Sequence, residues 1–259
     1  YNVGFLALLQ ANPGVDPYVP RAGSVLTIPL QTLLPDAPRE GLVLNIAELR
    51  LYYYPPGQNS VTVYPIGIGQ LGGDTLTPTM VTTVSDKRAN PTWTPTANIR
   101  ARYKAMGIDL PAVVPAGPNN PMGHHAIRLA AYGGVYLLHG TNADFGIGMR
   151  VSSGCIRLRD ADIKSLYNKI TPGTRVNIIN EPIKVSVEPN GTRLVEVHQP
   201  LSEHINDDPQ TLPIVLNAGM KNFKQAPQTN QQVMEYAMEL RSGMPVDVTR
   251  HQLPAEQTM

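Results

Sequence analysis

Proline and glycine interrupt this chain so often that long regular elements have no room to form. The 259 residues include 25 prolines and 22 glycines, against only three phenylalanines. Proline lacks a backbone donor and glycine is costly to order, so both favour turns and short strands over long helices. The expected fold class is mainly β with a few helices, an α+β arrangement. With 42% hydrophobic residues, a chain of this length can bury a sizeable core. Charged residues make up 16% and the formal net charge is +1, too weak a field to select nucleic acid. No run of about eighteen apolar residues occurs, so no membrane span is expected. The sequence opens at Tyr1 with no signal peptide, as a processed chain would, and compartment has to be argued from function.

Three regions are expected: residues 1–35, 36–180 and 181–259. In the first, FLALLQA reads as a short helix, NPGVDPYVPRAG as turns and SVLTIP as a strand. The second opens with the β-rich runs GLVLNI, ELRLYYY and VTVYPIGIG, the last after a PPGQNS turn. Residues 71–123 are dominated by Gly, Pro, Thr and Asn and read as long loops, which in compact domains are usually functional. HAIRLA and GVYLLHG follow as strands. DADIKSLYNKI reads as a helix capped by Asp160, with Ile163, Leu166, Tyr167 and Ile170 on one face, and TRVNIIN as a closing strand. In the third region IKVSVEPNGTRLVEVH is a hairpin turning at Asn190-Gly191. NQQVMEYAMELRSGMP is a helix with Val233, Tyr236, Ala237 and Leu240 at helical spacing.

The chain has one cysteine, Cys155, so no internal disulfide can form. It is a buried filler, a partner for another chain, or a nucleophile. The strand GVYLLHG ends at His139, and Gly140 breaks it, which sets the imidazole at a rim. If residues 155–159 are extended, Cys155, Arg157 and Arg159 share one face while Ile156 and Leu158 enter the core. Gly154 lets the backbone approach a ligand and leaves peptide N–H groups free to donate. A thiol becomes a strong nucleophile when a neighbouring base favours its thiolate, and histidine is the usual partner. With only Asp144 close by among acids, a backbone carbonyl near Gly140 is the economical group to orient the ring.

The string HGTNADFGIGMRVSSGCIRLRDADI resembles the signature of the L,D-transpeptidases, bacterial cell-wall enzymes. The matching positions are His139, Gly140, Ser152, Gly154, Cys155, Ile156 and Arg157, and PAGPNNPMG (115–123) and TPT (77–79) resemble the family's substrate-side loops. Ser153 stands where many members have a second histidine, so no role of that histidine transfers. The resemblance implies a β-sandwich-like catalytic domain. It also implies attack by Cys155 on the carbonyl at the diaminopimelate L-centre of a peptidoglycan tetrapeptide stem, with D-alanine leaving. His139 is then base and acid, the Gly140 carbonyl fixes its tautomer, and N–H groups of Gly154 and Cys155 hold the oxyanion. Arg157, Ser152, Ser153 and His124 are candidate substrate contacts, with Arg157 either pairing with a carboxylate or bracing the loop. The acylated cysteine is resolved by an amine: a second diaminopimelate, or the C-terminal lysine of an outer-membrane lipoprotein. The substrate implies the periplasm. Residues 1–30 resemble the second half of a LysM glycan-binding module, carried by Asn12, Pro13, Gly14, Val15 and Asp16, then Gly23, Leu26, Ile28 and Pro29.

No cofactor is implied. GIGQLGG lacks the Lys-Ser/Thr of a phosphate loop. His124 and His125 face opposite sides of a strand, and no second cysteine or acidic cluster completes a metal set. Trp93 and Tyr52, Tyr53 and Tyr54 fit packing better than sugar stacking. Two alternatives stay open: a hydrolase that uses water on the same scaffold, and a wall-binding protein without catalysis.

Overall fold

The computed structural model describes residues 1–71 and 75–250. Gly72, Gly73 and Asp74 of the predicted loop, and residues 251–259 of the predicted third region, lie outside the described residues. In chain order the elements begin with α1 (Phe5–Gln10), β1 (Gly41–Asn45), β2 (Arg50–Tyr54), β3 (Thr62–Pro65), β4 (Ile68–Gly69) and β5 (Met80–Ala89). Next come α2 (Ala97–Ala105), β6 (His125–Leu129), β7 (Leu137–His139), β8 (Arg150–Ser152), β9 (Ile156–Arg157), α3 (Asp160–Lys169) and β10 (Arg175–Ile179). The last are β11 (Ile183–Val187), β12 (Arg193–Val197), α4 (Ala218–Gln225), α5 (Gln231–Leu240) and β13 (Pro245–Asp247). The architecture is mostly β with few helices, built on a curled sheet. Among the described residues no helix is long and apolar enough to cross a membrane.

The chain divides into two compact units, each drawn from separated stretches of sequence. One unit takes residues 2–5 and 38–179. Its eight-stranded sheet has the order β3-β2-β1-β10-β5-β6-β7-β9. β1 lies between antiparallel β2 and parallel β10, covered on both faces, which is why Leu42, Val43 and Leu44 form an unbroken apolar run with no exposure. Tyr52, Tyr53 and Tyr54 are buried beside it as core residues, as their β-strand pattern implies. The sheet curls because the segment leaving edge strand β3 reaches the opposite edge: Gly67 and Arg157 of β9 exchange backbone hydrogen bonds of 2.8 Å.

The predicted loop at 71–123 contains a ten-residue strand and a nine-residue helix. β5 (MVTTVSDKRA) has too few apolar residues to announce itself, but Val81, Thr82, Thr83 and Val84 are β-branched, and such chains suit a half-buried pleated surface. Its first half pairs with β10 and its second half with β6, with a register shift between Val84 and Asp86. α2 is capped by Thr96, whose hydroxyl accepts from the Ile99 N–H, and buries none of its residues. The pattern predicts Asp160 as the cap of α3, whereas Arg159 holds that position and Asp160 is the first helical residue. Its carboxylate is engaged elsewhere, accepting from the His124 N–H at 2.9 Å and from the His124 ring at 2.7 Å.

The other unit takes residue 1, residues 6–37 and, among the described residues, 180–250, so most of the segment read as an N-terminal module shares a compact unit with the C-terminal region. SVLTIP forms no strand there. No strand pairs with it; instead the Asn12 side chain donates to the Thr27 carbonyl at 2.8 Å and accepts from the Thr27 N–H at 2.7 Å. The hairpin of β11 and β12 forms as predicted and gains β13. Ile183, Val195, Val197, Met220, Phe223, Met234, Ala237 and Val248 make the core. The buried face of α5 is Met234 and Ala237, while Tyr236 and Leu240, predicted on that face, are exposed. A buried carboxylate, Glu196, accepts from Lys184 Nζ at 2.9 Å, His198 Nε2 at 2.6 Å and the Leu33 N–H at 2.5 Å, tying residue 33 to the sheet. Partners this close offset the desolvation penalty of a buried carboxylate.

Candidate active site

The sheet face built by β5, β6, β7 and β9 sets two rows of side chains across four strands. Register places Arg88 opposite Ala126, Ala126 opposite His139, and His139 opposite Arg157. The next row holds Asp86, Arg128 and Leu137, with Cys155 at the level of Leu137 just before β9. Ile156 and Leu158 point into the core with no exposure, as the alternation predicts. Arg159, predicted on the face of Cys155, instead donates to the Asn2 side chain and, at 2.9 Å, to the Val3 carbonyl.

A cavity of about 490 Å³ opens on this face. Cys155, His139, Arg157, Ser152 and Ser153 line it; Gly140, Gly154 and His124 do not. Four guanidinium groups border it, those of Arg88, Arg102, Arg128 and Arg157, and among the described residues no carboxylate does. Trp93, Tyr103 and Tyr136 supply aromatic wall, and Pro121 and Met122 close one side. The loop carrying them is organised by fully buried Asn120, which donates to the carbonyls of Pro91 and Pro115 and accepts from the Met122 N–H.

His139 is buried at the end of β7, and its Nδ1–H donates to the Gly140 carbonyl at 2.6 Å. A carbonyl only accepts, so this bond fixes the tautomer and leaves Nε2 as the basic nitrogen. Burial lowers the ring's pKa from 6.5 to about 4; the Gly140 bond opposes that shift and the Arg157 charge adds to it. The Cys155 thiol is raised above its ordinary value, because burial outweighs the Leu137 N–H and the charges of Arg157 and Arg128. Its S–H donates to the Val135 carbonyl at 3.8 Å, and no hydrogen bond joins it to His139 among the described residues. Burial thus disfavours both charged forms on this cavity, the thiolate and the imidazolium.

The loop before Cys155 is braced from within. Ser152 Oγ donates to the Cys155 carbonyl at 2.5 Å and accepts from the Gly154 N–H at 3.2 Å. Gly154, expected to offer its N–H to a ligand, has that donor occupied. Glycine is required there because φ is +104° and a Cβ would meet Tyr136 at 3.3 Å. Buried Thr77, from the TPT stretch, bridges the same loop to β4 by donating to the Gly154 carbonyl at 2.9 Å and accepting from the Gly69 N–H at 3.0 Å. Ser153 Oγ accepts from Arg102 at 3.4 Å. His124 pairs with Asp160 away from the cavity.

Gly140 approaches its neighbours too closely for any side chain: a Cβ would lie 2.5 Å from Asp160 Oδ1 and 3.2 Å from Ile163. Gly140→Ala is expected to destabilise the protein by about 1–3 kcal/mol through overpacking, read by urea unfolding. A variant as stable as the parent would show that this packing yields without cost.

Residues 39–178 match the L,D-transpeptidase catalytic domain and residues 182–248 the L,D-transpeptidase C-terminal domain. The chain belongs to the L,D-transpeptidase family. "Probable L,D-transpeptidase YcfS" of Escherichia coli (strain K12) is 85% identical over 253 residues, covering 98% of this chain and 79% of that protein. "Probable L,D-transpeptidase YbiS" of the same strain is 52% identical over 248 residues, covering 95% and 80%. "Probable L,D-transpeptidase ErfK/SrfK" is 49% identical over 253 residues, covering 96% and 80%.

Proposed function

We propose that this chain is a cysteine-dependent transpeptidase of peptidoglycan tetrapeptide stems, working in the periplasm where those stems lie. The observation that carries the reading is that Cys155 and a tautomer-fixed His139 open onto one cavity rimmed by guanidinium groups. Stem peptides are rich in carboxylates, and such a rim recognises them.

Reaction begins from the neutral forms of thiol and ring. The thiol rotates away from the Val135 carbonyl and Sγ bonds to the carbonyl carbon at the diaminopimelate L-centre as its proton passes to His139 Nε2. With the Gly154 N–H occupied by Ser152, the Cys155 N–H is the remaining predicted donor to the oxyanion. The imidazolium returns its proton to the departing nitrogen, and D-alanine leaves. An acceptor amine then attacks the thioester, its proton passes to Nε2, and collapse restores the thiol. The acceptor we favour is the C-terminal lysine of an outer-membrane lipoprotein.

Incubation with disaccharide-tetrapeptide, with and without a lysine-terminated peptide, tests this by mass. D-Alanine release with an amine-linked product is expected. D-Alanine release with only the tripeptide formed would instead identify a hydrolase, and no release would overturn the assignment.

A further inference from the structure

A second, smaller cavity of about 50 Å³ branches from the site, with Asp86 and Ala126 on its wall and Arg88, Thr92, Met122, Arg128 and Leu137 shared between the two cavities. Asp86, Arg88 and Arg128 meet there because alternation puts Asp86 and Arg88 on one face of β5, and register puts Arg128 directly opposite Asp86. Arg88 Nε donates to Asp86 Oδ2 at 3.0 Å, and Arg128 Nη1 donates to the Gly134 carbonyl at 2.5 Å. Each guanidinium has five N–H donors, and these bonds engage one of them on each arginine, both of which line the branch. Two cations and one carboxylate leave one positive charge unmatched, and the trio presents both signs to whatever enters.

We propose that this branch is a receptor for a free α-amino-acid head group, the distal end of the donor stem's diaminopimelate arm. Its carboxylate is held by Arg88 and Arg128 and its ammonium by Asp86. The inference rests on the stem-peptide reading above and adds to it the residues that select the third stem residue.

Distance distinguishes this group from the other carboxylate nearby. Cys155 lies two strands from Arg128, and His139 two strands from Arg88, about 10 Å at ordinary interstrand spacing. The leaving D-alanine's carboxylate is one residue step from the attacked carbonyl, about 4 Å, which suits Arg157 beside His139. The distal carboxylate of diaminopimelate is six bonds away, roughly 7 Å when extended, and the long arginine side chains close the remainder. A lysine at the third stem position would carry the ammonium without the carboxylate, leaving both guanidinium groups without a substrate carboxylate.

The test compares stems bearing meso-diaminopimelate, its distally amidated form, or lysine, in wild type and in Arg88→Gln and Asp86→Asn. Both side chains are substantially exposed, so these variants are expected to fold, which thermal unfolding checks. Wild type is expected to favour the free diaminopimelate stem roughly tenfold or more in kcat/KM, as a charge-assisted contact implies. In Arg88→Gln that preference should collapse towards one, through KM rather than kcat. Arg128→Lys should blunt it by losing the fork while keeping the charge. Equal loss on all three stems in Arg88→Gln, or an unchanged preference, would overturn the proposal. Binding to Cys155→Ala, followed through the fluorescence of Trp93, the chain's one tryptophan, gives the same comparison without chemistry. Selective binding with no D-alanine release would remove the transpeptidase reading and keep the receptor; release without selectivity would do the reverse.

Discussion

Cys155→Ala is expected to reduce D-alanine release to background, a loss on the order of 10⁴-fold or more, because no other nucleophile is available to form the thioester. The fold should survive the change. Sγ meets backbone groups, the Val135 carbonyl at 3.8 Å and the Leu137 N–H, while the Ser152 and Thr77 hydroxyls brace the loop around it. Thermal unfolding within a few degrees of wild type, together with abolished turnover, is the expected pair of results. Residual release above background would remove Cys155 from the reaction. Unfolding of the variant would make the sulfur a packing atom.

The second large effect concerns His139. His139→Gln should lower kcat by about 10²–10⁴, the range of positioned general acid–base catalysis. The pH profile of the wild type carries the finer test. A ring whose pKa burial lowers to about 4 is neutral and able to accept a proton everywhere above that value. The acid limb of kcat/KM should therefore fall near pH 4, and activity should hold from pH 5 through 7. A limb near 6.5 would show the ring to be solvated or another group to be the base. The same shift has a consequence for stability. The folded ring binds a proton less readily than the unfolded one, so its contribution is complete above pH 6.5 and is lost as pH falls towards 4. Loss of the chemical step and loss of the fold thus approach one another on the acid side, and unfolding must be measured at each pH.

Much of this site could be read from residue order. The break at Gly140 after an apolar strand located the imidazole at a rim, and strand alternation from Cys155 set Ile156 and Leu158 inward. The scarcity of nearby acids pointed to a backbone carbonyl as the ring's partner, which is where Nδ1–H donates. What escaped notice has physical causes. β5 is polar and β-branched, so a search for apolar alternation passes over it, and with it went Asp86 and Arg88. α2 buries nothing, so it shows no apolar stripe, and Ile99, Arg102 and Tyr103 on the cavity wall went unseen. Arg128 was within reach: it stands between buried Ile127 and Leu129, so alternation already turned it to the face of His139. Trp93, which the strand pattern assigns to packing, lines the cavity. The ionisation state of the thiol depends on how much water its surroundings exclude, and that is a property of the assembled walls.

The way the two units are threaded bears on how the molecule can be cut and made. The segment 2–5 contributes the Val3 carbonyl that accepts from Arg159 and the Phe5 N–H that donates to Ile147, although thirty-two residues belonging to the other unit separate it from residue 38. A fragment trimmed to the contiguous stretch 38–179 would look complete on paper and lack those ties. Likewise residues 6–37 precede the strands beyond residue 180 that complete their unit, so they stay without those partners until the intervening chain and those strands have been produced.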